Sequence, residues 1–196
     1  MKTLFKITAV AALMTAGMSS AFAAGTDAHV TITGNVVPVT CELGPGANAP
    51  SIISLGNAAP ADFAAGTGAY LNLYTVDKTK KSFSVTVGNC TGVTPADGGQ
   101  LSLKIDAGGK TLNSAGTVFG GGPGQVSNAG ATLLKDGTTT LLKDGDEVLV
   151  KAFTTSDLDL AGVSTSVKFD TMMASSIAKP TVGGIDAPIT FTVAYQ

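Results

Sequence analysis

The chain has 196 residues with 12 lysines, 14 acidic side chains, one histidine and a formal charge of −2; arginine and tryptophan are absent. That balance argues against nucleic acid as a partner, because phosphate tracking needs clustered cations. The lysines stand singly apart from Lys78, Lys80 and Lys81, which read as a solvated strand edge. In chain order, MKTLFK is followed by the apolar run ITAVAALMTAG and by Ala21-Phe22-Ala23, so residues 1–23 read as a secretion signal. The mature chain then spans residues 24–196, enough for one domain with its own core.

From Asp27 the sequence alternates with period two. Ala28, Val30, Ile32, Gly34 and Val36 occupy the even positions, while Asp27, His29, Thr31, Thr33 and Asn35 occupy the odd ones. At Val36-Val37, just before Pro38, the apolar set moves to Val37, Val39, Cys41 and Leu43. A flat strand cannot bury both sets against one core, since a one-residue slip turns every side chain to the other face. Either a bulge near Pro38 corrects the phase or the two halves serve two different cores.

Further strands are predicted at 51–56, 82–90, 100–106, 146–153, 165–173 and 188–196, each rich in β-branched or aromatic residues and bounded by turn formers. The whole reads as all-β with sandwich-like spacing. Residues 58–79 are irregular, compatible with a short helical turn or a long loop. Residues 116–130, with six glycines and one proline, read as a flexible loop. TLLKDG occurs at 132–137 and again at 140–145, which predicts consecutive strands reversing at Asp136-Gly137 and Asp144-Gly145.

Chemistry is sparse. His29 is the only histidine and sits on the polar face of the first alternating segment, where nothing rigid would orient it as a base. Asp144 with Asp146, and Asp157 with Asp159, lack the spacing of a calcium loop and read as turn acids. No enzyme, no cofactor and no metal is expected. Cys41 and Cys90, an even pair in an exported chain, read as a structural disulfide. At the other end, Ile189, Phe191, Val193 and Tyr195 alternate with Thr190, Thr192, Ala194 and Gln196 up to the last residue, as in a strand clamped within a sheet.

Together, the Ala-x-Ala signal, the alternating leading segment with its mid-strand glycine, Gly-Asn-Val-Val-Pro-Val-Thr-Cys, Val-Gly-Asn-Cys and the ending Ile-Thr-Phe-Thr-Val-Ala-Tyr-Gln resemble the major subunits of chaperone-usher fimbriae of the type 1 pilin kind. The resemblance implies an incomplete immunoglobulin-like β-sandwich lacking its C-terminal strand. Residues 24–36 would be a donor-strand extension and 37–196 the pilin domain. It further implies that Ala28, Val30, Ile32 and Val36 fill a neighbour's groove, with Gly34 at a point of close backbone approach. Ile189, Phe191, Val193 and Tyr195 would form the groove-edge strand recognised first by a periplasmic chaperone. The implied partners are that chaperone, an outer-membrane usher and neighbouring pilins, and the implied location is a fibre on the bacterial surface used in adhesion. Two alternatives use the same residues differently: a minor linker or terminal subunit of the same fimbria, or a monomeric secreted glycan-binding β-sandwich that folds its first strand into its own sheet.

Overall fold

A computed structural model describes residues 39–45, 52–92, 98–154 and 164–196. Nine strands lie among them: β1 (Val39–Pro45), β2 (Ala64–Ala65), β3 (Tyr74–Thr75), β4 (Lys81–Gly92), β5 (Gln100–Asp106), β6 (Gly130–Lys135), β7 (Glu147–Ala152), β8 (Thr165–Ser175) and β9 (Thr190–Tyr195). They build two antiparallel sheets. In the larger, β1 pairs with β4 and β4 with β8; β3 continues along the same edge of β8, with β2 beyond it, and β6 pairs with β8 as well. In the smaller, β5 lies between β7 and β9. The fold is an all-β, immunoglobulin-like sandwich.

Its core follows from strand periodicity. In β4, Phe83, Val85 and Val87 face inward and alternate with Ser82, Ser84 and Thr86. Leu101, Leu103 and Ile105 of β5 meet them from the opposite sheet, and Val167 and Phe169 of β8 complete the layer. Each such side chain, fully buried, stabilises the fold by about 1.5–3 kcal/mol relative to leaving it exposed. Phe169 stacks on Phe83 at a centroid distance of 5.5 Å and lies 5.1 Å from Phe191 of β9, so one aromatic cluster joins the two sheets.

The alternation of β8 stops at Asp170, after which every residue through Ser175 is buried. The reason lies in the irregular segments. Three 3-10 turns and the short β2 and β3 occupy Pro60–Thr79, and with the stretch around Leu112 and Val118 they cover the outer face of β8 with a second cluster of Leu73, Val118, Leu141 and Ala174. Asp170 is buried there with partners on β4 and just before it: Lys80 Nζ at 2.8 Å and the Ser82 hydroxyl, which donates at 2.5 Å. Burial pushes its carboxyl pKa up, but hydrogen bonds from Lys80 and Ser82 and the charges of Lys80 and Lys168 outweigh this and hold it below the ordinary aspartate value. Lys78 pairs with Asp62 at 2.8 Å on the surface. Two of the three clustered lysines are therefore tied to acids in the fold.

Cys41 and Cys90 form the disulfide, joining β1 to β4. The ladder shifts register there. Thr40 faces Thr91 and Glu42 faces Gly88, so Asn89 and Cys90 together stand opposite Cys41, a β-bulge. Asn89 takes φ +47°, a left-handed conformation that asparagine tolerates better than most side chains, and its amide donates to Glu42 Oε2 at 2.7 Å.

Three sequence expectations need correction. Residues 52–56 keep an alternating burial pattern but join no ladder with any described strand and instead line an open groove. The second TLLKDG copy is not a strand; it contributes only the single bridge Leu134 to Leu141, while its Asp144 accepts hydrogen bonds from Ala107 N and Gly109 N and fixes the turn after β5. The glycine-rich stretch forms no strand before Gly130, where β6 begins, yet it is tied down rather than loose: Phe119 is fully buried and bridges both Thr111 and Ala131. A Cβ at Gly130 would overlap the Phe119 carbonyl oxygen, which explains the glycine at this crossing.

Candidate functional site: a groove beside the last strand

β9 uses one edge to pair with β5, from Thr190 opposite Asp106 to Tyr195 opposite Leu101. Its other edge carries no ladder among the described residues. Beside that edge runs a groove of about 1430 Å³. Its floor is made by Phe83 and Val85 of β4, Leu133 of β6 and Met173 of β8; one bank is formed by Leu43 and residues 52–60, the other by residues 180–188 and the start of β9. Apolar side chains dominate this lining, as expected of a site that recognises hydrophobic surface.

Phe191, Val193 and Tyr195 lie together on the inward face of β9, with Ile189 just before it; all four are half-buried and packed against the main core, with Thr190 and Thr192 exposed between them. Half-burial is the decisive property here. Phe191 touches Phe83 and Phe169 at 6.1 and 5.1 Å, and Tyr195 lies 6.3 Å from Phe153. These rings are held from one side by the core, and Phe191 also lines the groove. Ala28, Val30, Ile32, Gly34, Val36 and His29 lie outside the described residues, as do the signal segment, Asp157 and Asp159. Among the described residues no group of three or more His, Cys, Asp or Glu side chains is placed to hold a metal, and no helix is long and apolar enough to cross a membrane.

The sequence reading missed the second bank. Residues 180–188 carry no period, yet they are fastened to the glycine-rich loop. Asp186 accepts a hydrogen bond from Gly124 N at 2.9 Å through its carboxylate, its backbone N–H donates to Gln125 Oε1 at 2.7 Å, and its carbonyl accepts from Gly122 N at 2.9 Å. The Gly184 carbonyl accepts from both Val126 N and Ser127 N. A Cβ on Gly122 would overlap the Asp186 carboxylate, so the glycines that looked like slack in the sequence are what allow the two loops to close up. The alternation of Ile53 and Leu55 was the one sequence signal for the opposite bank.

The family model for "Fimbrial protein" matches residues 30–196. The chain belongs to the fimbrial protein family. That family is one of structural fimbrial subunits. No curated protein sequence matches it. Among solved structures, the rod subunit PapA of the P pilus is similar at 18% identity, with a TM-score of 0.52, covering 82% of this chain and 100% of that one. A chaperone-usher pilus subunit is similar at 18% identity and a TM-score of 0.48, covering 87% and 96% of the two chains. An antigen and type I fimbria protein of Burkholderia pseudomallei is similar at 16% and 0.47, covering 80% and 99%. The first of these likenesses supports the pilin sandwich as the fold of this subunit.

Proposed function

We propose that this pilin is a stalk-forming subunit of a chaperone-usher fimbria and that it polymerises by donor-strand exchange. Residues 24–36 of one subunit enter the groove beside β9 of the next. A periplasmic chaperone fills that groove beforehand, and an outer-membrane usher is where the exchange takes place. The observation that carries this reading is the outer edge of β9: a row of backbone donors and acceptors without a ladder partner among the described residues, bordering an apolar groove. An open edge of this kind is a template for another strand, and β-strand addition is the binding mode it fits.

The magnitudes favour a persistent polymer. Burying Val30, Ile32 and Val36 contributes on the order of 5–9 kcal/mol, and each ladder bond adds roughly 1 kcal/mol before the cost of ordering the strand. Gly34 then sits where a side chain would hold the two backbones apart. Deleting residues 24–36 is expected to give a subunit that still accumulates in the periplasm bound to chaperone but forms no fibres visible by electron microscopy. Fibres of normal length from that deletion would refute the donor role. A mature chain that stays monomeric and melts cooperatively without chaperone would instead identify a self-complete sandwich.

A further inference from the structure

We infer that Met173, in the floor of the groove beside β9, is an oxidation site: a peroxide converts its thioether to a sulfoxide while the groove is empty, and the sulfoxide then weakens the seating of a donor strand. This rests on the donor-strand reading above and deepens it, adding a chemical condition under which a subunit can be joined. The chain holds five methionines, at positions 1, 14, 18, 172 and 173. Three fall in the segment read as a secretion signal, so a chain cut after Ala23 keeps two, side by side in β8. Both cysteines are taken up in the disulfide, which leaves these two thioethers as the sulfurs of residues 24–196 open to oxidation.

The strand sends them opposite ways. β8 keeps an unbroken register with β6, from Gly130 opposite Ala174 to Lys135 opposite Phe169, so successive side chains alternate between its faces. Met172 shares a face with Asp170 and Ala174, and Ala174 packs in the second cluster that covers that face. Met173 shares the other face with Phe169 and Thr171, and it borders the groove together with Thr171 and with Ala131 and Leu133 of β6. Exposure hardly separates the pair, at 4% for Met172 and 7% for Met173. What separates them is the covering: folded chain lies over one and the groove over the other. The backbone does not turn Met173 away, because its N–H donates to the Thr79 hydroxyl at 3.0 Å and its carbonyl accepts from Val76 N at 3.2 Å, while β6 holds the opposite edge of β8.

The chemistry needs only the peroxide. A sulfur lone pair attacks one peroxide oxygen, an S–O bond forms as the O–O bond breaks, and the sulfur gives up two electrons; with hydrogen peroxide the second oxygen leaves with both hydrogens as water. A flexible apolar side chain becomes a polar one carrying a hydrogen-bond acceptor. In an empty groove water solvates that oxygen. A seated strand strips the water away, and Ala131 and Leu133 across β6 offer no side-chain donor in its place, so the strand binds less tightly. The same geometry protects a joined subunit, since a strand already in the groove keeps peroxide from the sulfur.

The test treats the full mature chain, residues 24–196, with hydrogen peroxide in the absence and presence of a saturating synthetic peptide of residues 24–36, and reads sulfoxide at 172 and 173 by tandem mass spectrometry. Without peptide, Met173 is expected to oxidise several-fold faster than Met172; with peptide, its rate is expected to fall to that of Met172. The oxidised chain should bind the peptide about tenfold more weakly. Met173→Leu, a swap of similar volume, should bind it equally before and after peroxide. Equal rates at the two methionines, no protection by the peptide, or unchanged peptide affinity after oxidation would each overturn the inference, and so would the same loss of affinity in peroxide-treated Met173→Leu. The wild-type measurements decide the matter even if the leucine variant does not fold. Failure of the underlying reading shows elsewhere, as fibres that still form when residues 24–36 are deleted.

Discussion

An alanine at position 169 is expected to destabilise the subunit by about 3–5 kcal/mol, the range for truncating a fully buried aromatic side chain. Phe169 stands at the centre of β8, opposite Phe83 on one side and Lys135 on the other, and its ring contacts both Phe83 and Phe191. Removing it leaves a hole between the sheets that rotation of Phe83 or Phe191 fills only in part, because each of those rings is already held by its own strand. For a domain of this size the loss corresponds to a fall of roughly 10 °C in melting temperature. Denaturant titration of wild type and variant, each bound to the same donor peptide, reads the effect directly. An unchanged midpoint would show that the aromatic cluster does not hold the sheets together.

Replacing Cys41 and Cys90 together by serine is expected to cost about 4 kcal/mol, the chain-entropy value for closing a loop of this length. The bridge closes a separation of 49 residues and fastens β1 to β4 beside a bulge that interrupts the ladder. β1 pairs with β4 alone among the described strands, so the disulfide is also what holds this edge in register. On the export route proposed above, the double variant should accumulate at a small fraction of the wild-type amount, measured by immunoblot. Equal abundance would mean that β1 is secured without the bridge.

The strands that carry the sandwich were legible because their periodicity is a local property. The alternation of Phe83, Val85 and Val87 and of Leu101, Leu103 and Ile105 encodes a buried face, and that of Phe191, Val193 and Tyr195 a half-buried one, and the sheets form accordingly. Where the reading failed, the deciding partner is distant. Residues 52–56 have the pattern of a strand, but a ladder depends on what lies alongside, and alongside them is the groove. The second half of β8 is buried on both faces because segments a hundred residues earlier fold over it, which no short-range pattern around Asp170 encodes. The bank built by Asp186 depends on Gly122, Gly124 and Gln125, some sixty residues upstream, and only their meeting gives the glycines a purpose. The alternation of β9 was readable from sequence; the loops that wall the groove beside it were not.

The position of Val30 and Ile32 in an assembled fibre bears most directly on the donor-strand account. A reconstruction of the fibre at a resolution that separates strands is expected to find residues 28–36 of each subunit antiparallel to residues 190–195 of the adjoining one, with Val30 and Ile32 pointing into that subunit's groove. Finding the same residues paired within the domain that carries them would contradict it.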